Sequence, residues 1–565
     1  MKMKTGTSRK LRYGGVTVAM TALIIAVIVI VNVIFTALAQ KFLWYADLTP
    51  ELLFTLSDNC IDLIANGDDT YEQSFSPVEM VDKAREERRA QNPDFKDEDL
   101  MIRIIFCDDP DAWEETSSRR YIYETAKQLA AEFPDYIEIE NHNIIWNPSS
   151  VSQYGIYVST SSVIIEFGTE YRVRNLNTFY TYSDTTSEEP WAYNGEKILA
   201  ASILAVTRAE SPVACLTTNH GETLDDTELL TTLDTAGFQV QELNMSTDEI
   251  PENCRLIVVF NPQTDFLVKD GYSSDVDEIE KLDQFLDDDN SLMVFMSPDL
   301  TTPLQNFESY LEEWGISYNR YKTEEAGKTT YHPYIVRDTT QSLTVDGYTI
   351  KGEYYTKGGQ GSQLTYDMTN NVTNPPMMVF RDAMSISYSD LYSPQHYVDA
   401  DDASISYDYA TYGVDGTYRS IYDVFTTGEN AVAMANGQQV AKATAVNPLK
   451  LMTVSVETHS VVENATLGST MTETAYVIAC GSTDFASRSL LQSNSYGNST
   501  FLEYALRTVG KEPVPVGVKF KPFGDYTIDT ITTSEATQYT VVLTVVPAVL
   551  ALGAGVFVIV RRKNR

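Results

Sequence analysis

An α/β fold built on parallel strands is what the sequence predicts for the middle of this chain, and two observations predict it. Short apolar runs, Val213 to Leu216, Leu256 to Phe260 and Leu292 to Phe295, alternate with amphipathic segments of about ten residues, the pattern of a parallel sheet covered by helices. Each run ends in polar or turn residues, Thr217 to Glu222, Asn261 to Asp265 and Ser297 to Asp299. That places them together at the carboxyl edge of the sheet, where such folds carry their sites. Asn219, His220, Gly221, Glu222, Asn261 and Ser297 are therefore the candidate ligand-binding residues.

The chain begins with a basic tail over residues 1–14, then an uncharged apolar stretch over 15–39. Its core, Val16 to Ala39, rises about 1.5 Å per residue as a helix and so exceeds the roughly 30 Å of hydrocarbon to be crossed. A cleaved signal peptide is the rival reading, because Ala37-Leu38-Ala39 imitates a cleavage site. Signal h-regions run only about 7–15 residues, so a membrane anchor is expected. A second apolar span, 538–560, stops at Arg561-Arg562-Lys563 in a basic tail over 561–565. Bases flank both spans on their terminal sides, which puts both termini in the cytoplasm and everything between them outside. Ala551 and Gly555 are spaced to let another membrane helix approach closely.

Within the body, 40–99 reads as a juxtamembrane helical segment. Trp44 and Tyr45 suit the headgroup level, Ser57 or Asp58 caps a short helix ending near Gly67, and Ser76-Pro77 opens another. Asn92 to Asp99 reads as a linker. Over 100–210 the predicted order is strand (Ile102 to Phe106), helix (Tyr121 to Phe133), strand (Ile137 to Ile139), hairpin (Val163 to Phe167 and Tyr171 to Val173) and helix (Gly195 to Val206). That order is thioredoxin-like, with Gly168-Thr169 turning the hairpin. Its redox chemistry is missing, since Asp108-Asp109-Pro110 follows Cys107 in place of a second cysteine.

The α/β core occupies 211–330. A tyrosine-rich, β-rich insertion follows over 331–470, with antiparallel strands expected at Ser342 to Tyr355, Gln363 to Tyr366, Ser385 to Tyr388 and Tyr422 to Phe425. Lys357-Gly358-Gly359-Gln360-Gly361 reads as a flexible turn with no helix opening there, not a phosphate loop. Residues 471–510 return to the α/β core: Tyr476 to Cys480 completes its sheet, and a helix runs from Ser499 to Val509. Pro513, Pro515, Pro522 and Gly524 then make a stiff stalk over 511–537.

Charge and composition exclude several functions. The chain carries 79 acids against 41 bases, and nine of those bases flank the apolar spans. The body is thus strongly acidic and lacks the basic stripe that phosphate backbones need, so no nucleic-acid partner is expected. Asp399, Asp401, Asp402, Asp408 and Asp415 miss the spacing of a calcium loop. Cys60, Cys107, Cys215, Cys254 and Cys480 form no CxxC pair and no zinc spacing, so neither metal nor other cofactor is expected and the thiols are read as free and buried. Asp225 and Asp226 suit a helix start. His220 beside Glu222 has the residue types of a base, but no G-x-S-x-G elbow supplies a nucleophile, and a loop-bonding role is expected instead.

Taken together, Asn219-His220-Gly221-Glu222, Asn261-Pro262, Ser297-Pro298, Trp44-Tyr45-Ala46-Asp47-Leu48-Thr49, Asn194-Gly195-Glu196 and Gly481-Ser482-Thr483-Asp484-Phe485-Ala486 resemble the GldG-like family. The resemblance covers most of the chain except roughly 331–470. It implies an auxiliary, gliding-motility-associated component of an ABC transport system, with a membrane helix near each end. It also implies a class I glutamine-amidotransferase-like (flavodoxin-like) domain without catalytic residues, and an ABC permease and separate ATPase as partners. No Walker A motif is present to power transport. The expected function is thus a non-catalytic membrane subunit with an extracytoplasmic ligand- or partner-binding body. The alternatives are an adhesion protein binding envelope polysaccharide, suggested by the 35 tyrosines, and an envelope hydrolase or amidotransferase acting around His220.

Overall fold

The computed structural model describes residues 22–23, 25–35, 47, 49, 51–67, 76–155, 158–182, 189–208, 211–222, 228–269, 276–325, 327–370, 372–398, 405–412, 418–464, 469–493, 495–511, 513–524, 545–547, 549, 553 and 560–561. Of the two apolar spans, 22–23, 25–35, 545–547, 549, 553 and 560 are described, and all are helical. Among the described residues no helix is long and apolar enough to cross a membrane. The rest of both spans lies outside the described residues, as do Trp44, Tyr45, Asp225, Asp226, Ala551 and Gly555. So do Asp399, Asp401, Asp402 and Asp415, while Asp408 falls on a strand.

Two helices open the body. In α1 (Asp58–Asn66) the Ser57 side chain accepts from the Cys60 N–H, and Gly67 at φ +75° ends the helix. In α2 (Pro77–Gln91) Ser76 and Glu79 form a reciprocal capping box that satisfies two orphan amides. Part of the expected linker after it is a short 3₁₀ turn, Asp97–Asp99.

A four-stranded sheet follows, with β1 (Ile102–Phe106), α3 (Ser117–Glu132), β2 (Ile137–Asn141), β3 (Ser162–Phe167), β4 (Glu170–Asn175) and α4 (Gly195–Thr207). Its order is β2-β1-β3-β4. β1 and β2 run parallel, and β3 is antiparallel to both its neighbours. Every residue of α4 is buried, because this helix joins the small sheet to the rest. Glu196 accepts from the Ser57 N–H at 2.8 Å and pairs with Lys521 at 2.7 Å.

The main sheet begins with β5 (Val213–Thr217), α5 (Glu228–Thr235), β6 (Gln239–Leu243), β7 (Cys254–Phe260), α6 (Glu278–Asp287), β8 (Ser291–Phe295) and α7 (Gln305–Glu313). It continues through β9 (Thr349–Tyr354), α8 (Gly359–Gln363), β10 (Met378–Arg381), β11 (Ile386–Tyr388), β12 (Tyr418–Thr426), β13 (Lys450–Asn464), β14 (Ser469–Cys480) and α9 (Asn498–Gly510). The sheet order is β10-β9-β12-β13-β14-β8-β7-β5-β6. From β6 to β14 the strands are parallel, and β13 turns the sheet antiparallel. The residues around Tyr476 thus complete the parallel half, as the sequence implied, while the β-rich stretch widens the same sheet.

Alternation along the parallel strands separates two cores. Ala214, Leu216, Leu256, Val258, Met293 and Phe295 face a cluster with Leu229 and Leu233 of α5 and Phe501, Leu502 and Leu506 of α9. Val213, Cys215, Ile257, Val259, Leu292 and Val294 face Leu282 and Leu286 of α6 and Phe307 and Leu311 of α7. Helices thus cover both faces, which is why these strands read as unbroken apolar runs.

Four expectations are corrected, the first being that a helix, α8, does open within the glycine run at Gly359. Gln363 to Tyr366 is not a strand: α8 opens at Gly359 and Tyr366–Thr369 forms another helical turn. The glycines there serve close packing, since a Cβ on Gly361 would lie 1.9 Å from the Asp423 carbonyl oxygen. Within Ser342 to Tyr355 only Thr349–Tyr354 is a strand; the preceding residues turn around Asp346 and Gly347. The first part of the expected stalk lies on the body, where Val514 and Val518 are buried and Asn59 donates to the Gly517 carbonyl at 3.0 Å.

Candidate functional site

Counted along the chain, the parallel half has the spatial order second, first, third, fourth, fifth. In such sheets the connections leave in opposite directions from the first and third strands, and a crevice opens at their carboxyl ends. The loops after β5 and β7 meet there. The His220 carbonyl accepts from the Gln263 and Thr264 N–H groups at 2.7 and 2.9 Å. Gly221, at φ +76°, comes so close that a Cβ would meet Gln263 at 3.2 Å. Asn261 is also left-handed, at φ +54°, and its side-chain oxygen accepts from Gln263 at 3.0 Å.

His220 is the buried centre of this junction. Its Nδ1 lies 3.2 Å from Glu222 Oε1 and its Nε2 lies 2.8 Å from Glu278 Oε2, while its backbone N–H donates to Glu222 Oε2 at 2.7 Å. The ring stacks on Phe266 at 3.7 Å, and Phe266 stacks on Phe307 at 4.3 Å. Glu278 is fully buried, yet Asn219 and Ser246 each donate to its Oε1 at 2.7 Å and the Leu267 N–H donates to its Oε2 at 2.7 Å.

The electrostatics follow from this geometry. Burial pushes the His220 pKa down, but the Glu222 and Glu278 carboxylates outweigh it and hold the group up at about 9. Burial pushes Glu278 up, but His220, the Leu267 amide and the Ser246 hydroxyl bring it to about 2. Glu222 is lowered, against its burial, chiefly by His220. Both ring nitrogens are thus engaged by carboxylate oxygens, which favours the protonated ring, the form with no lone pair to act as a base.

Beside this cluster a cavity of about 750 Å³ opens between the ends of β5, β6 and β7 and helix α5. Thr217, Thr218 and Glu242 supply polar edges, Phe260 an apolar one, and Arg172 a cation. Burial first, and then neighbouring Arg174, lowers the Arg172 pKa.

No family model matches the chain. No curated protein matches it either. Among solved structures it is similar to the mmIFT52 N-terminal domain, at 12% identity and a TM-score of 0.31, covering 53% of this chain and 96% of that one. A second likeness is to cytoplasmic protein STM3548 from Salmonella typhimurium, at 10% identity and a TM-score of 0.22, covering 53% of this chain and 98% of that one. Likenesses this distant transfer neither family nor function to the chain.

Of the six predicted residues, the structure brings Asn219, His220, Gly221, Glu222 and Asn261 together, and Glu222 lines the cavity. Ser297 follows the end of β8, where its hydroxyl accepts from the Asp299 N–H at 3.1 Å, while the Asn261 N–H donates to the Phe295 carbonyl of that strand at 2.8 Å. Sequence reasoning missed Glu278, Ser246 and Phe266. Glu278 sits in the charged run DVDEIEKLDQ, where nothing local distinguishes it from an exposed acid.

Proposed function

We propose that the protein is a non-catalytic, membrane-anchored auxiliary subunit of a GldG-like ABC transporter, with a head that receives a ligand or partner at the β5–β7 crevice. The observation that carries this reading is the locked state of His220. At the carboxyl edge of the sheet, where such folds carry their sites, this chain has a buried histidine held on both ring nitrogens by carboxylates, beside an open cavity. Such a site can hold a ligand through Thr217, Thr218, Arg172 and Glu242 without turning it over.

The strand order of the parallel half supports a flavodoxin-like, amidotransferase-like identity for the main domain. The β2-β1-β3-β4 order, with β3 reversed, supports a thioredoxin-like identity for the first. The two apolar spans, each long enough for hydrocarbon, are the reason for placing the head outside the membrane with both tails inside. The permease and the separate ATPase follow from the family resemblance and from the missing Walker A motif.

Turnover assays on the purified full chain test the non-catalytic claim, using amide, ester and glutamine substrates. No turnover above background is expected. Turnover above background by the folded natural chain would replace this reading with that of an envelope hydrolase or amidotransferase.

A further inference from the structure

A separate cavity of about 740 Å³ lies on the antiparallel half of the main sheet and shares no lining residue with the crevice at β5 and β7. We propose that it binds a neutral oligosaccharide. This inference does not depend on the transporter reading.

Three strands supply half-buried tyrosines to it: Tyr354 from β9, Tyr388 from β11 and Tyr422 from β12, with Tyr355 just beyond β9. A tyrosine joins an apolar ring to a polar tip, which matches a pyranose with its C–H faces and hydroxyl edges. Two of the rings are fixed before any ligand arrives. Tyr354 donates to the Pro376 carbonyl at 2.5 Å, and Tyr388 donates to Asp423 Oδ1 at 2.8 Å. Preset side chains lower the ordering cost of binding.

The floor is charged but balanced. Asp423 is buried and also accepts from Lys450 Nζ at 3.1 Å, and that ammonium sits 4.3 Å from the centre of the Tyr388 ring. An ionic ligand would have to compete with this pair, whereas an uncharged one leaves it intact. At the rim, exposed Glu353 and Glu429 outnumber Lys357, which disfavours anionic ligands. Exposed Asn430 and half-buried Gln341 add both donors and acceptors, the capacity that vicinal hydroxyls require.

The cavity is built on rigid elements. The pairing of β12 with β13 shifts register between Asp423 and Phe425, and such bulges re-aim side chains. Helix α8 presses against β12 through Gly359 and Gly361, whose Cβ atoms would strike the Tyr422 ring and the Asp423 carbonyl. The volume falls within the about 300–1,000 Å³ of ligand pockets and suits several linked sugars better than one.

The test is titration of the full chain in detergent with neutral malto-, cello- and chito-oligosaccharides, with oligogalacturonate as the acidic comparison. At least one neutral series is expected to bind. Tyr422→Ala should weaken it about tenfold, the scale of a lost aromatic contact. Asn430→Ala, at an exposed rim position, should weaken it severalfold, whereas Glu429→Gln should leave neutral binding unchanged and Trp146→Ala, an exposed aromatic elsewhere, should not affect it. Failure of every neutral series to bind, binding confined to oligogalacturonate, or binding undiminished by both Tyr422→Ala and Asn430→Ala would overturn the proposal.

Discussion

His220 Nε2 lies 2.8 Å from Glu278 Oε2, although 58 residues separate the two in sequence. The contact fastens the loop after β5 to the first turn of α6, with Glu222 closing the other side of the ring. Because all three groups are buried, the cluster's stability rests on mutual compensation.

Removing one partner leaves the others charged without a counterpart. Glu278→Gln or His220→Gln should therefore destabilise the fold by about 3–5 kcal/mol, the usual cost of breaking a buried pair. Urea unfolding followed by circular dichroism measures it, and a loss within the error of the extrapolation would show that the cluster is not structural.

The cluster also sets a pH window. His220 is raised from an ordinary 6.5 to about 9, so its contribution is complete below about 6.5 and is lost as pH climbs through 9. Glu278 is lowered from 4.5 to about 2, so its contribution is complete above 4.5 and is lost as pH falls through 2. Chemical denaturation across this range should show stability declining from near neutrality to about pH 9 in the natural chain. The decline should be flatter in His220→Gln.

Close approach of α8 to β12 predicts a steric effect. In Gly361→Ala the new methyl would meet the Asp423 carbonyl oxygen at 1.9 Å, an atom that no side-chain rotation can move. A cost of about 1–3 kcal/mol is expected from such overpacking, read as a lowered thermal midpoint. An unchanged midpoint would mean that α8 does not lie where it is described.

All five cysteines are free and buried. Burial, aided by Asp108, pushes Cys107 up to about 12, and burial pushes Cys480 up to about 12. Since the thiolate is the reactive form, iodoacetamide at about neutral pH should leave both unmodified in the native chain and label both after denaturation. Peptide mass spectrometry distinguishes these results.

Much of this architecture was legible in the sequence. Buried parallel strands have to be continuous apolar runs, so β5, β7, β8 and β14 could be placed, and Ser57 and Ser76 announced their helices through capping chemistry. What escaped was non-local. Glycines at 359 and 361 look like a loop until the neighbouring strand that demands them is known. The joining of β13 to β14 depends on pairing such as Val454 with Ile478, which no local pattern records. At the crevice, Asn219 to Glu222 and Asn261 were found because turn residues collect at strand ends, whereas Glu278 reaches His220 from a separate helix.

The central claim, that this chain is an accessory subunit of a transporter, is tested most directly by tagging it in its native membrane, extracting it in mild detergent and identifying what copurifies. The account predicts an ABC permease and a separate ATPase in stoichiometric amounts. Recovery of the intact chain with neither of them would contradict it.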